Sequence, residues 1–317
     1  MRLMLACLFL FGTASVSQAQ SRAVAAGQWR HDRGLARELA AIVRDLRIDS
    51  VFDVGDDGTE TISLAVVDLT ADAPRWAGVN ADNFIYPASV YKIYAAMGAL
   101  AAIEAGRFGL HDAYILHGPN VRDGRSEIAH DPRPVLREGD TVTVDYLLDL
   151  MITRSDNTAA NCVIDLAGRP FIDSLMHRYG WQGSEVTRKF LSRRFEDPPY
   201  DTIRGTETSA LHAADFMVRI EQNRLVSHWV SLRLKSYLGR QLDTSKLAAG
   251  LPASAMFYHK TGWYSYWTND VGIVRDDRVH YVIACFLPIP EERALPIMRE
   301  LSRRIHAYMA QRSSRPG

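Results

Sequence analysis

The sequence predicts an α+β fold in which one sheet is assembled from both ends of the chain and an all-helical lobe is inserted between its halves. Three observations point there. β-Branched and apolar runs stand at Thr61–Leu69 and Arg75–Val79, and again at Met256–Thr261, Thr268–Arg275 and His280–Leu287. The long middle of the chain carries helical rather than alternating patterns. An amphipathic helix is predicted beyond the strands at each end: Arg33–Arg47, with Leu35, Leu39, Ile42, Val43 and Leu46 on one face, and Glu291–Arg312. These two can pack together on one face of the sheet.

From the N-terminus, Met1-Arg2 precede an apolar run from Leu3 to about Val16 and then Ser17-Gln18-Ala19, the pattern of a secretory signal cut after Ala19. Residues 20–317 are then expected as one catalytic domain exported to a bacterial periplasm. The apolar run falls short of the ~20 residues a spanning helix needs, and no later segment reaches that length, so no stable membrane insertion is expected. The turn at Ala71-Asp72-Ala73-Pro74 lets Arg75–Val79 pair with Thr61–Leu69. Ala88–Ala105 is nearly continuously apolar, the mark of a helix buried all round. Gly106–Asp140 mixes Gly, Pro, His and Asp and reads as a long connection. Helical patterns follow over Thr141–Ile152, Asn157–Ala167, Pro170–Tyr179, Thr208–Asn223 and Ser227–Gly239. Gly180–Gly205, polar, charged and broken by Pro198-Pro199, reads as an ordered surface loop of a length that is usually functional.

Composition bounds the partners. The 37 basic residues balance 37 acidic ones, and no dense basic run gives the footprint of a nucleic-acid binder. At 47% apolar the chain can build a substantial core. Cys162 and Cys285, the only cysteines after the signal, are too few for a disulfide framework and are expected as buried thiols. Nothing has metal-ligand spacing, so no metal and no cofactor is expected. A monomer acting on a small molecule or a peptide fits these bounds.

Three short segments carry the chemistry: Ser89-Val90-Tyr91-Lys92, Ser155-Asp156-Asn157 and Lys260-Thr261-Gly262. The chain holds 32 Arg but only five Lys, and two of those five sit in these segments. A serine hydroxyl needs an adjacent base to attack a carbonyl. Lys92, three residues on along a helix, shares its face, and burial beside Val90, Ile93 and Met97 disfavours the ammonium form. Ser89 at a helix start offers its own N–H to a developing oxyanion. Ser155 can pass a proton and Asn157 can bind an amide, although a tripeptide of this kind alone reads first as a helix cap. At Lys260-Thr261-Gly262 the glycine lets a substrate lie against the strand while lysine and threonine hold a carboxylate; alone it is a strand and a turn.

Their order and their separations, 66 residues from Ser89 to Ser155 and 105 from Ser155 to Lys260, resemble the active-site serine penicillin-recognising enzymes, and class A β-lactamases most closely. The nucleophile segment from Asn83 to Lys92, the extension Thr158-Ala159-Ala160-Asn161 and the strand Trp267-Thr268-Asn269-Asp270-Val271 share in the resemblance. It implies an antiparallel sheet with flanking helices and an active site at the interface with the helical lobe. It further implies Ser89 as nucleophile, Lys92 as a base for acylation, Ser155 as proton shuttle and Asn157 as ligand of a substrate amide. Lys260, Thr261 and Gly262 then meet the substrate carboxylate, and the N–H of Trp263 joins that of Ser89 in an oxyanion hole. Asn161 tethers the loop that carries the deacylating water.

In that loop the family pattern is broken. Arg194-Phe195-Glu196 resembles the segment around the water-activating glutamate, which makes Glu196 the candidate deacylation base ahead of Glu185 and Glu207. Yet Tyr200 stands where an asparagine is expected and Gly205 where a closing aspartate is expected. Arg275 and Arg278 are candidate helpers for a carboxylate. The resemblance implies a β-lactamase that opens the lactam at Ser89 and releases it to water. A DD-peptidase and a slowly deacylating penicillin binder use the same acylation parts.

Overall fold

The computed structural model describes residues 29–313, apart from 72, 123–127 and 129. The expected signal at 1–19 lies outside the described residues. A six-stranded sheet forms from β1 (Arg30–His31), β2 (Ser63–Asp68), β3 (Arg75–Val79), β4 (Met256–Tyr264), β5 (Trp267–Arg275) and β6 (His280–Leu287). Their spatial order is β1-β3-β2-β6-β5-β4, so the two ends of the chain meet where β2 pairs with β6, Ala65 opposite Ala284. All neighbours run antiparallel except β1, which pairs with β3 in parallel. That short edge pair departs from the all-antiparallel expectation: residues 29–31 form an extended lead into α1 that lies along β3.

Every residue of β2 is buried, so the sheet is covered on both faces. Alternation divides it. Leu64, Val66, Ile283 and Cys285 pack against α1 (Arg33–Asp45) and the C-terminal helix α8 (Glu291–Ser313) through Leu35, Leu39, Ile42, Met298, Leu301 and Ile305. Ala65, Val67, Val282 and Ala284 face the helical lobe. Asp32 caps α1 by accepting from Leu35 N–H at 2.9 Å and binds Arg312 of α8 at 2.6 Å, which holds its carboxyl down at about 2.

The lobe contains α2 (Lys92–Glu104), α3 (Val144–Thr153), α4 (Asn157–Ala167), α5 (Arg169–Arg178), α6 (Ala210–Glu221) and α7 (His228–Leu238). Two boundaries shift from the sequence prediction, since Thr141–Thr143 and Thr208–Ser209 are short strands whose last residues cap α3 and α6. Helix α2 is the axis of the lobe: Lys92 through Ala102 are all buried, as its unbroken apolar run requires. Ala88–Tyr91 is a turn of 3-10 helix leading into α2, so Ser89 stands just before the α-helix. Cys162 and Cys285 are free and buried, and burial pushes the Cys162 thiol up to about 12. No helix among the described residues is long and apolar enough to cross a membrane.

Candidate active site

Three elements converge on Lys92. Helix α2 begins with it, the turn between α3 and α4 brings Ser155 and Asn157, and β4 brings Lys260. Lys92 Nζ lies 3.0 Å from Ser89 Oγ, 2.5 Å from the Ser155 carbonyl oxygen, 3.0 Å from Ser155 Oγ and 2.7 Å from Asn157 Oδ1. Lys260 Nζ donates to Ser155 Oγ at 3.0 Å and to the Thr261 carbonyl at 2.6 Å. Ser155 Oγ therefore bridges the two lysines, both with 0% of their surface exposed. Ser89 is itself only half-buried. The arrangement is a hydroxyl chain with a basic group at each end and an accessible nucleophile beside one of them, which can carry a proton from Ser89 toward a leaving group.

Close backbone approach fixes the turn that carries Ser89. A Cβ on Gly262 would come within 2.8 Å of the Pro87 carbonyl and of the Ser89 and Val90 amide nitrogens, so only glycine lets β4 pass this near. Ala88, just before Ser89, has a φ of +46°, and Asn269 Nδ2 donates to the Tyr86 carbonyl at 3.2 Å to anchor the segment from β5. A cleft opens beside Ser89, with Ser155, Thr261, Gly262 and Trp263 on its near wall and Gln241, Asp243 and Glu291 farther out. The three sequence segments thus meet at one place.

The sequence matches the β-lactamase enzyme family over residues 44–309. The chain belongs to that family. It is 25% identical to the extended-spectrum β-lactamase PER-1 of Pseudomonas aeruginosa over 198 residues, a match that spans 59% of this chain and 61% of that protein. The fold is similar to that of PBP-A (TM-score 0.73, 22% identity, 89% of this chain and 98% of that one). It is equally close to a β-lactamase from Sphaerobacter thermophilus (TM-score 0.72, 21% identity, 89% and 99%). A single-residue mutant of PBP-A, solved as an acyl-enzyme complex with penicillin G, aligns with a TM-score of 0.73, 22% identity and the same 89% and 98% coverage.

For a β-lactamase-family chain the loop from 180 to 207 holds the departure. Glu196, expected as the deacylation base, is turned into the base of the loop. One carboxylate oxygen takes Arg169 of α5, and the other takes Arg188 Nε at 3.2 Å and the Lys189 N–H at 2.9 Å. Its side chain is 0% exposed, and both of its oxygens are taken up by contacts that hold the loop closed. Glu185 and Glu207 both bind Arg204. Arg275 pairs with Glu221 at 3.6 Å. It lies opposite Met256, and Arg278 lies in the turn beyond it, at the end of β4 and β5 away from Lys260.

Asn161 does tether the loop, and what it tethers is Phe190: the Phe190 N–H donates to Asn161 Oδ1 at 2.7 Å, and Asn161 Nδ2 reaches the Phe190 carbonyl at 3.5 Å. The Phe190 ring stacks on Tyr91 with centroids 4.4 Å apart and lies 4.2 Å from Lys92 Nζ. An aromatic face thus covers Lys92 on the loop side. The sequence carried one sign of this residue, an aromatic side chain in a polar loop directly after Val186-Thr187-Arg188-Lys189.

Proposed function

We propose that this protein is a penicillin-recognising acyl-serine enzyme that acylates readily and releases its acyl group to water slowly, as a DD-peptidase or penicillin binder does. The observation that carries the reading is the pairing around Lys92 of a complete proton relay on one side with Phe190 on the other.

Among the described contacts Lys92 Nζ has four oxygen neighbours and, as an ammonium, three hydrogens. When it is neutral, the acceptor-only Ser155 carbonyl and Asn157 Oδ1 retain its two hydrogens, and its lone pair is left for a hydroxyl. Ser89 Oγ then gives its proton to Lys92 as it bonds to the substrate carbonyl carbon. The backbone N–H groups of Ser89 and Trp263 hold the oxyanion. The carbonyl–nitrogen bond breaks as Ser155 delivers its proton to the leaving nitrogen and takes in exchange the one Lys92 received from Ser89, and Lys260 and Thr261 hold the substrate carboxylate. Hydrolysis of the resulting ester needs a base beside a water. Phe190 brings none and excludes solvent from that flank, which supports slow release.

A cell-wall peptide ending in an acyl-D-amino residue is the natural substrate class this favours, with β-lactams as trapping analogues. Export by the segment 1–19 would place the enzyme in the periplasm, where such peptides are found. The second reading, a fast β-lactamase, is favoured by the 25% identity to a protein of that activity. Mass spectrometry after mixing with penicillin separates the two. A long-lived adduct on Ser89 that is absent from Ser89→Ala, together with D-alanine release from an acyl-D-alanyl-D-alanine peptide, supports the first. Rapid drug hydrolysis with no persistent adduct selects the second, and neither adduct nor turnover sinks both.

A further inference from the structure

Ser155 bridges the two lysines from a backbone conformation that serine rarely adopts. Its φ is +63°, in the left-handed region where a Cβ crowds the backbone. Such a residue persists only where its surroundings over-determine it. Both of its neighbours are pinned to one acceptor, as the N–H groups of Arg154 and Asp156 reach the Leu150 carbonyl at 3.2 and 3.1 Å. Their side chains are joined across it as well. Arg154 Nη2 and Nε donate to Asp156 Oδ2 at 3.0 and 3.3 Å, while Asp156 Oδ1 caps α4 through the Ala159 N–H at 2.9 Å.

Arg154 is 1% exposed, and the rest of its guanidinium is spent on the segment that packs over this turn. Nη1 donates to the Arg133 carbonyl and Nη2 to the Pro134 carbonyl, each at 2.9 Å, and Asp131 lies 3.5 Å away. A planar fork can serve a carboxylate and two carbonyls at once, whereas an ammonium on a flexible stem cannot keep that geometry. The functional effect falls on Ser155: its carbonyl and its Oγ both face Lys92, at 2.5 and 3.0 Å, and the same Oγ meets Lys260 at 3.0 Å.

We propose that Arg154 is a positioning residue, a guanidinium clamp on Asp156 that locks Ser155 in its left-handed turn and so keeps its hydroxyl between Lys92 and Lys260. The kinetic consequence rests on the acyl-serine reading; the structural one does not.

The test joins a crystal structure of Arg154→Met to its acylation by a fluorescent penicillin, with the non-covalent binding constant and the acylation rate constant measured separately. In the crystal, Ser155 is expected to relax to negative φ and its Oγ to leave Lys260. The rate constant is expected to fall on the order of 100-fold, the scale of a one-ångström misplacement, with binding little changed. Arg154→Lys is expected not to restore it. If removing the guanidinium prevents folding, Asp156→Asn serves instead: asparagine still caps α4, the charged acceptor is lost, and a rate loss of about tenfold is expected. An unmoved Ser155 in either variant overturns the proposal whether or not the wild type is acylated. So does a loss confined to the binding constant. A wild type that takes no label while the variant structure shows the shift overturns the acyl-serine reading and leaves the clamp standing.

Discussion

Two regions flank Lys92, and both bury charge. On one side Lys92 and Lys260, each inaccessible to solvent, share the Ser155 hydroxyl at 3.0 Å, and Lys92 also reaches Ser89 Oγ at the same distance. On the other side the loop from 180 to 207 buries Glu196 against Arg169 and Arg188, and Lys189 against Asp197 at 2.9 Å. In the first region the buried lysines meet hydroxyls and amide oxygens, groups that can pass a proton or bind a substrate. In the second the cations meet carboxylates, which neutralise them and leave little for chemistry. The same residue types thus make a reaction centre or a scaffold according to the partner they face.

The sharpest way to break this contrast is Glu196→Gln. A deacylation base would leave a trapped acyl-enzyme when lost. A buried structural anion instead leaves Arg169 with only the half-exposed Asp197, 3.3 Å away, as a counter-charge, because the amide keeps the shape and drops the charge. We expect Glu196→Gln to lower unfolding stability on the order of 3 kcal/mol, read from urea denaturation, with acylation and release rates of the folded fraction within about twofold of wild type. A release rate reduced many-fold at unchanged stability would return Glu196 to the chemistry.

Phe190→Glu addresses the other side. The side chain at this position lies over Lys92, and a carboxylate there can hold a water against the ester. Release of the penicilloyl adduct is expected to quicken about tenfold or more, which is ~1.4 kcal/mol of barrier, while acylation changes less. Adduct lifetimes followed by mass spectrometry decide it. An unchanged lifetime would mean that Phe190 does not govern access of water.

How much of this could be read beforehand follows from the range of the interactions involved. The sheet ends, the buried α2 and the three motif segments are written locally, in periodicity and in short motifs, and the structure brings all three together around Ser89 and Ser155. The loop is not local. Glu196 is bound by Arg169, 27 residues earlier, and by Arg188, eight earlier. In a chain with 32 arginines the sequence does not say which of them a glutamate will meet. The likeness of Arg194-Phe195-Glu196 to a family pattern does not say which partners Glu196 meets, whereas Asn161 holds Phe190 and brings it to Lys92. Arg154 is not legible for a similar reason: it precedes a motif without belonging to it, and its acceptors are the carbonyls of Arg133 and Pro134, fixed only once the chain is folded.

The smallest expected effect concerns what the loop costs as pH rises. Asp173 of α5 accepts the Val186 N–H at 2.9 Å, anchoring the start of the loop. Burial pushes its carboxyl up to about 6, with Glu185 adding to the rise and the Val186 N–H, His177 and Arg169 opposing it. In the unfolded chain the same group titrates near 3.8. Between those values the native state binds the extra proton, so this group's contribution is favourable below about 4 and is lost as pH rises through about 6. Asparagine keeps the carbonyl that accepts from Val186 and never ionises. Asp173→Asn should therefore match wild-type stability at about pH 4 and exceed it at about pH 8 by roughly 1–2 kcal/mol, allowing for the solvent that still reaches the group. Urea denaturation at the two pH values measures the difference. Equal stabilisation at both would mean that packing, and not the buried charge, distinguishes the two side chains.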